Sequence, residues 1–344
     1  MSISHNICTT ISVTVILLAG TALNASCSSS SSPDETAYVA PANLKLRSST
    51  AQVSNVVGEL RGGDRITIVG RSYSTDEKLW LKVKAPKVDP GWAEARYFVS
   101  ANVVDDSRRI ADQYKETQTQ AIGKSKASLK LRLTPDRSDD KNVATLLPEG
   151  TILEIIGRER KPKPATAVGE AEGNNAAANK SGGSANDDWF LVRLKDYAVL
   201  PAGWIYGGSV EMEIPADIVY FASTGRKITG WQKIGSVKEE NGKSADHYLV
   251  LERSISGADE QVDFDRVKIL AYDPASRNYA TPFREDLSGR FPVTVRMEGN
   301  HGQFKVPVID KNDQTKQFTY EVELFDDGKV KVTSGDTTIN KKSR

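Results

Sequence analysis

Leu44-Lys45-Leu46-Arg47 opens a pattern that returns at Leu129-Lys130-Leu131-Arg132. The first copy continues Gly58-Glu59-Leu60-Arg61-Gly62-Gly63-Asp64-Arg65-Ile66-Thr67-Ile68-Val69-Gly70, then Trp80-Leu81-Lys82-Val83-Lys84, then Gly91-Trp92-Ala93. The second continues Leu146-Leu147-Pro148-Glu149-Gly150-Thr151-Ile152-Leu153-Glu154-Ile155-Ile156-Gly157, then Trp189-Phe190-Leu191-Val192-Arg193, then Gly203-Trp204-Ile205. Four blocks in one order mark an internal repeat. Leu44/Leu46 and Leu129/Leu131 alternate with polar neighbours, as half-buried strands do. Gly63 and Gly150 stand where a turn needs a positive φ before the next strand. Short strands, glycine turns and tryptophans at strand starts describe a small barrel of about 60 residues.

These blocks resemble the bacterial SH3-like domain of exported cell-envelope proteins, over residues 37–100 and 127–212. The resemblance implies two small SH3-like β-barrels that bind peptidoglycan or peptide segments. Ser48-Ser49 and Leu133-Thr134-Pro135 replace the loop usual in that family. The implied ligand contacts are Tyr38, Arg47, Trp80, Trp92 and Tyr97 in the first copy, and Arg132, Trp189, Trp204 and Tyr206 in the second. The alternative for each Trp is packing in the core or at its rim. The alternative for each Arg is a structural ion pair.

Outward from the repeat, residues 101–126 read as a charged linker whose Ile110 and Tyr114 have helical spacing. Residues 159–187, rich in Ala, Gly and Asn, hold too little apolar surface to offset their ordering entropy and read as a disordered insertion. Residues 213–337 are expected to form a β-rich C-terminal domain, an antiparallel sandwich or barrel of about ten strands. Its strand candidates include Val219-Tyr220-Phe221, Tyr248-Leu249-Val250-Leu251, Val267 to Tyr272 and Phe291 to Met297; Asp327-Gly328 marks a hairpin. This segment is similar to an uncharacterised region that follows SH3-like domains in some exported bacterial proteins. Residues 338–344 are polar and read as a frayed tail. The expected fold class is all-β.

At the amino terminus, Ile11 to Leu23 is apolar but shorter than the roughly 20 residues of a membrane span, which fits a signal peptide over 1–26. Ala25-Ser26-Cys27 and the Ser-rich residues 27–36 resemble a bacterial lipoprotein junction, implying lipid on Cys27 and a flexible tether. An ordinary cleaved signal is the alternative. A lipid-modified Cys27 would be the last cysteine left, because Cys8 departs with the leader.

Composition narrows the chemistry. Among 344 residues, 46 Lys+Arg against 45 Asp+Glu exclude a protein that coats nucleic acid, which needs a cationic surplus. Two Cys and three His leave little for nucleophilic or zinc chemistry. His247 and His301 lie beside turn-like residues and read as solvated loop histidines, while Asp263 and Asp265 flank Phe264 as a weak cation candidate. The expectation is therefore a non-catalytic, membrane-anchored envelope lipoprotein with neither cofactor nor metal. Its partners would be the membrane, through its lipid, and peptidoglycan or an envelope protein. Its location would be the outer membrane or cell surface in a host with two membranes. A wall hydrolase or metal-dependent enzyme with its site in the third segment, and a scaffold of an envelope complex, are the alternatives.

Overall fold

The computed structural model describes residues 35–164, 185–195, 197, 199–239, 242–256, 261–310, 312, 314–334 and 338–339. The signal peptide, Cys27, most of the tether and most of the 159–187 insertion lie outside the described residues. Three antiparallel sheets make the fold all-β.

The first sheet contains β1 Glu35–Val39, β2 Asn43–Arg47, β3 Val56–Arg61, β4 Arg65–Tyr73, β5 Leu79–Ala85, β6 Val88–Glu94 and β7 Phe98–Ser100. The second contains β8 Ala121–Ser125, β9 Leu129–Arg132, β10 Val143–Leu147, β11 Ile152–Pro162, β12 Asn186–Arg193, β13 Ala202–Tyr206 and β14 Val210–Met212. Their spatial orders are β3-β2-β6-β5-β4-β1-β7 and β10-β9-β13-β12-β11-β8-β14. These are one topology written twice. Gly63 and Gly150, at φ +91° and +80°, each stand two residues before the strand they introduce.

Gly91 and Gly203 show why the final block needs glycine. A Cβ on Gly91 would stand 2.7 Å from Leu46 Cβ, and one on Gly203 would stand 2.8 Å from Leu131 Cδ1 and 2.9 Å from the Arg132 carbonyl. The Leu-x-Leu-Arg strand thus lies against bare backbone in both copies.

The linker and insertion differ in extent from the expectation. Helix α1, Ala101–Gln113, occupies the front of the linker, and β8 already belongs to the second sheet. At the other edge, β1 begins at Glu35, inside the expected tether. The flanks of the insertion are ordered ladder, with Pro162 opposite Asn186. Ser107 of α1 ties the helix to the second sheet, donating its Oγ to the Ala202 carbonyl at 2.6 Å.

The third sheet has nine described strands: β15 Arg226–Lys238, β16 Ser244–Ser254, β17 Phe264–Asp273, β18 Asn278–Gly289, β19 Thr294–Glu298, β20 His301–Ile309, β21 Thr315–Leu324, β22 Val330–Ser334 and β23 Thr338–Ile339. Val219–Phe221 is a 3-10 turn rather than a strand, closed by Phe221 N–H donating to the Ile218 carbonyl. The strand expected from Phe291 starts only at Thr294, after Pro292, which has no N–H for a ladder.

Two runs explain how the sheets meet. In β16, Leu249 and Leu251 enter the third sheet's own core with Phe264, Phe304 and Tyr320. Tyr248 and Val250 face the other way, into a core shared with Leu131, Ile155 and Val192 of the second sheet and Val104 of α1. Burial on both faces accounts for continuous apolar residues where a half-exposed strand would alternate. Residues 35 onward accordingly form one compact unit rather than beads on linkers.

Candidate functional site

The two arginines of the repeat hold loops. Arg47 donates from Nη1 to the Ser54 carbonyl at 2.9 Å, and Arg132 donates from Nη1 to the Asp139 carbonyl at 2.8 Å. Each acceptor is seven residues ahead of its arginine. Arg132 also reaches Asn142 Oδ1 at 2.7 Å and Asp140 Oδ1 at 3.0 Å, and its side chain is fully buried. A ligand contact by Arg132, expected from the sequence, is corrected to a loop clamp.

Beside each arginine stands the tryptophan of the Gly-Trp block: Trp92 opposite Arg47, Trp204 opposite Arg132. The next strand contributes Lys82 opposite Trp92 and Leu191 opposite Trp204. In the first copy all three residues are half-buried. In the second, Arg132 and Leu191 are buried and only Trp204 stays half-buried.

Trp80 and Trp189 are core residues, 3% and 1% exposed, so neither offers the expected contact surface. Tyr206 packs edge-on to Trp189, with ring centroids 6.1 Å apart, while the Arg137 guanidinium lies 4.7 Å over its ring. Arg137 in turn makes a buried two-pronged pair with Asp187, at 2.7 and 3.0 Å. Sequence reading missed Arg137 because its partner is 50 residues away, beyond the insertion. Tyr38 lies under the Arg108 guanidinium of α1 at 5.6 Å, and Tyr97 accepts a hydrogen bond from Arg96 Nη2 at 2.9 Å. Of the expected contact set, Arg47 and Trp92 are the two that the ladder sets side by side with both half-open.

The edge strand β3 extends that surface. Val56 and Val57 are 47% and 36% exposed, and Val53 in the preceding loop is 95% exposed. Val56 is the residue paired with Arg47 on the Trp92 face, whereas Val57 Cγ2 lies 2.8 Å from the position of a Cβ on Gly91, on the Leu46 face of the sheet. No family model matches the chain, and no curated protein matches it.

The histidines differ from their expected setting. His247 is buried within β16, where its Nδ1 accepts the Tyr272 N–H at 3.0 Å. Burial holds its pKa below the ordinary 6.5 against the opposing pull of Asp246. His301 is exposed at the start of β20. Among the described residues, no three His, Cys, Asp or Glu gather as a metal site.

The two aspartates flanking Phe264 have partners of their own. Asp263 accepts the Phe291 N–H at 2.8 Å, and Asp265 accepts the Ser254 N–H and pairs with Arg226. A larger open cleft of about 690 Å³, between the second and third sheets, contains Glu154, Arg193, Trp231, Lys233, Asp246 and Tyr248. Both of its carboxylates are paired within it, Glu154 with Arg193 at 3.4 Å and with Lys195, and Asp246 with Lys233 at 2.7 Å. Among the described residues no helix is long and apolar enough to cross a membrane.

Proposed function

We propose that this chain is a non-catalytic, membrane-anchored cell-envelope lipoprotein that binds peptidoglycan or a peptide partner through tandem SH3-like units, with the first unit carrying the contact. The supporting observation is the asymmetry between the repeats. The first leaves Arg47, Lys82 and Trp92 half-open beside an apolar edge strand, and the second buries the matching Arg132 and Leu191.

An unpaired strand edge carries a row of free N–H and C=O groups that an extended peptide can add to. Val56, paired with Arg47, would give that peptide apolar contact, and Trp92 a flat face for a sugar or aliphatic side chain. The second unit, in this reading, is the strut that carries the first.

Retention of the purified full chain on isolated sacculi tests the reading. Wild type should be retained, and Trp92→Ala and Val56→Lys should each lower retention with only a small change in melting temperature. Failure of the wild-type chain to be retained would remove peptidoglycan as the ligand. Anchoring is tested separately: Cys27→Ala should release the protein from membranes, and unchanged fractionation counts against the lipid.

A further inference from the structure

In the second unit, both cations of the Leu-x-Leu-Arg strand hold one carboxylate of the loop that follows them. Lys130 Nζ donates to the two oxygens of Asp140 at 3.0 and 2.8 Å, and Arg132 Nη2 donates to its Oδ1 at 3.0 Å. Lys130 foremost, and then Arg132 against the opposing pull of desolvation, hold that carboxyl below the ordinary carboxylate range.

The first unit repeats the strand without the carboxylate. Lys45 and Arg47 stand in β2 where Lys130 and Arg132 stand in β9. Residues 48–55, the loop after Arg47, contain neither Asp nor Glu, whereas residues 133–142 contain Asp136, Asp139 and Asp140. Asp140 comes eight residues after Arg132; the residue eight after Arg47 is the neutral, exposed Asn55. Among the described residues neither Lys45 nor Arg47 makes an ion pair, although Glu59 is the register partner of Lys45. Glu94, two residues beyond Trp92, is buried and already engaged, by Gln52 Nε2 at 3.4 Å and Arg96 Nε at 2.8 Å.

Arg47 is nonetheless fixed as its counterpart is. Its Nη1 is tied to the Ser54 carbonyl as Arg132 Nη1 is tied to that of Asp139, which leaves its Nη2 for the bond that Arg132 gives to Asp140. Val56 stands beside it on the edge strand β3, and Trp92 on the other side on β6. Trp92 Cη2 lies 3.8 Å from the position of a Cβ on Gly70. The indole therefore leans across β5 toward β4, away from Arg47, and does not cover its guanidinium.

We propose that the first unit binds an acidic peptide, one of whose aspartate side chains takes, at Arg47 and Lys45, the place that Asp140 fills in the second unit. Such binding rests on the reading that the first unit carries the contact, and gives that contact a chemistry. An extended peptide added at the β3 edge turns alternate side chains onto the Val56–Arg47–Trp92 face. A carboxylate there meets a guanidinium already held in position and forms a charge-assisted hydrogen bond, which a neutral side chain cannot. The second unit is closed to the same ligand because its own loop supplies the carboxylate.

The test is calorimetric titration of the purified full chain with the peptide acetyl-Val-Ala-Asp-Ala-Val-amide and with its Asn twin. The Asp peptide should bind saturably and about fivefold or more tighter than the twin. Arg47→Gln should erase that preference. Asn55→Asp, at an exposed position, should weaken the Asp peptide about fivefold in a chain that melts no lower than wild type, because the loop then supplies its own carboxylate. No saturable binding of the Asp peptide, equal affinity for the two, a preference kept in folded Arg47→Gln, or wild-type affinity in folded Asn55→Asp would each overturn the proposal. So would an Asn twin ending in a free carboxylate that binds tighter than the Asp peptide, since the chain end would then be the ligand. Sacculi separate this outcome from the reading beneath it. Retention of wild type on sacculi together with equal peptide affinities removes the acidic ligand alone, and an Asp preference without retention removes peptidoglycan alone.

Discussion

Gln120 satisfies both main-chain polar groups of Val293 with one side chain: its Oε1 accepts the Val293 N–H at 2.8 Å, and its Nε2 donates to the Val293 carbonyl at 3.0 Å. Gln118 does the same for Val295, at 2.7 Å in both directions. Two amides, two residues apart, thus imitate a strand along the side of the chain entering β19 that β20 does not cover. The Gln120 carbonyl accepts the Trp231 N–H at 2.8 Å, and a Cβ on Gly230 would come within 2.9 Å of that oxygen. The linker therefore joins the second sheet to the third through polar groups as well as through the shared core.

Gln120→Ala should cost about 1–3 kcal/mol of stability, because it leaves the buried Val293 N–H without a partner, while the Val293 carbonyl keeps the Gln232 Nε2 donor at 2.9 Å. Gln118→Ala, at an exposed position, should cost less. Urea denaturation measures both. A loss below about 1 kcal/mol for Gln120→Ala would mean that water replaces the amide and that the clasp is dispensable.

Arg132→Ala and Arg47→Ala should separate by stability. The buried Arg132 leaves the Asp139 carbonyl and Asn142 without donors, so the loss should be about 3–5 kcal/mol. Half-buried Arg47 should cost about 0.5–1.5 kcal/mol, the net value of one solvent-accessible hydrogen bond. Equal losses would contradict the assignment of Arg132 as the deeper clamp.

Gly91→Ala and Gly203→Ala should each destabilise by about 1–3 kcal/mol through forced displacement of Leu46 or Leu131. Gly203→Ala should be the worse, since its new methyl also meets the Arg132 carbonyl at 2.9 Å, against 3.2 Å for Arg47 at Gly91. Thermal melts of the two variants, compared directly, check the order.

Acid should weaken the third sheet through His247. Its native pKa lies below the 6.5 of the unfolded chain, so the unfolded state binds more protons between those values. Stability is then full above pH 6.5 and falls as pH drops below it. Protonation at Nδ1 would also break the bond from the Tyr272 N–H. His247→Asn should flatten the stability profile between pH 7.5 and 5.5, and an unchanged slope would clear His247 of the effect.

Trp189→Ala and Trp92→Ala should divide stability from binding. Emptying the Trp189 site should cost about 3–5 kcal/mol, whereas truncating half-open Trp92 should cost far less and act on ligand retention. Denaturation curves beside sacculus retention would show the division; a ligand loss confined to Trp189→Ala would reverse the roles.

The sequence by itself determined the repeat, its strands and its glycine turns, because strand alternation, a positive φ at Gly63 and Gly150, and the bare backbone at Gly91 and Gly203 are demands made on single positions. It also carried the all-β class and the apolar runs that become β16 and β17. Tertiary structure alone decided which copy stays open. Arg47 and Arg132 occupy the same place in the same motif, and only the surrounding loop and neighbouring strands bury one and leave the other half-open. His247 and Arg137 were illegible for the same reason: Tyr272 is 25 residues from the first, and Asp187 is 50 from the second. Burial and pairing are properties of neighbours in space, and no local pattern encodes a neighbour that distant in the chain.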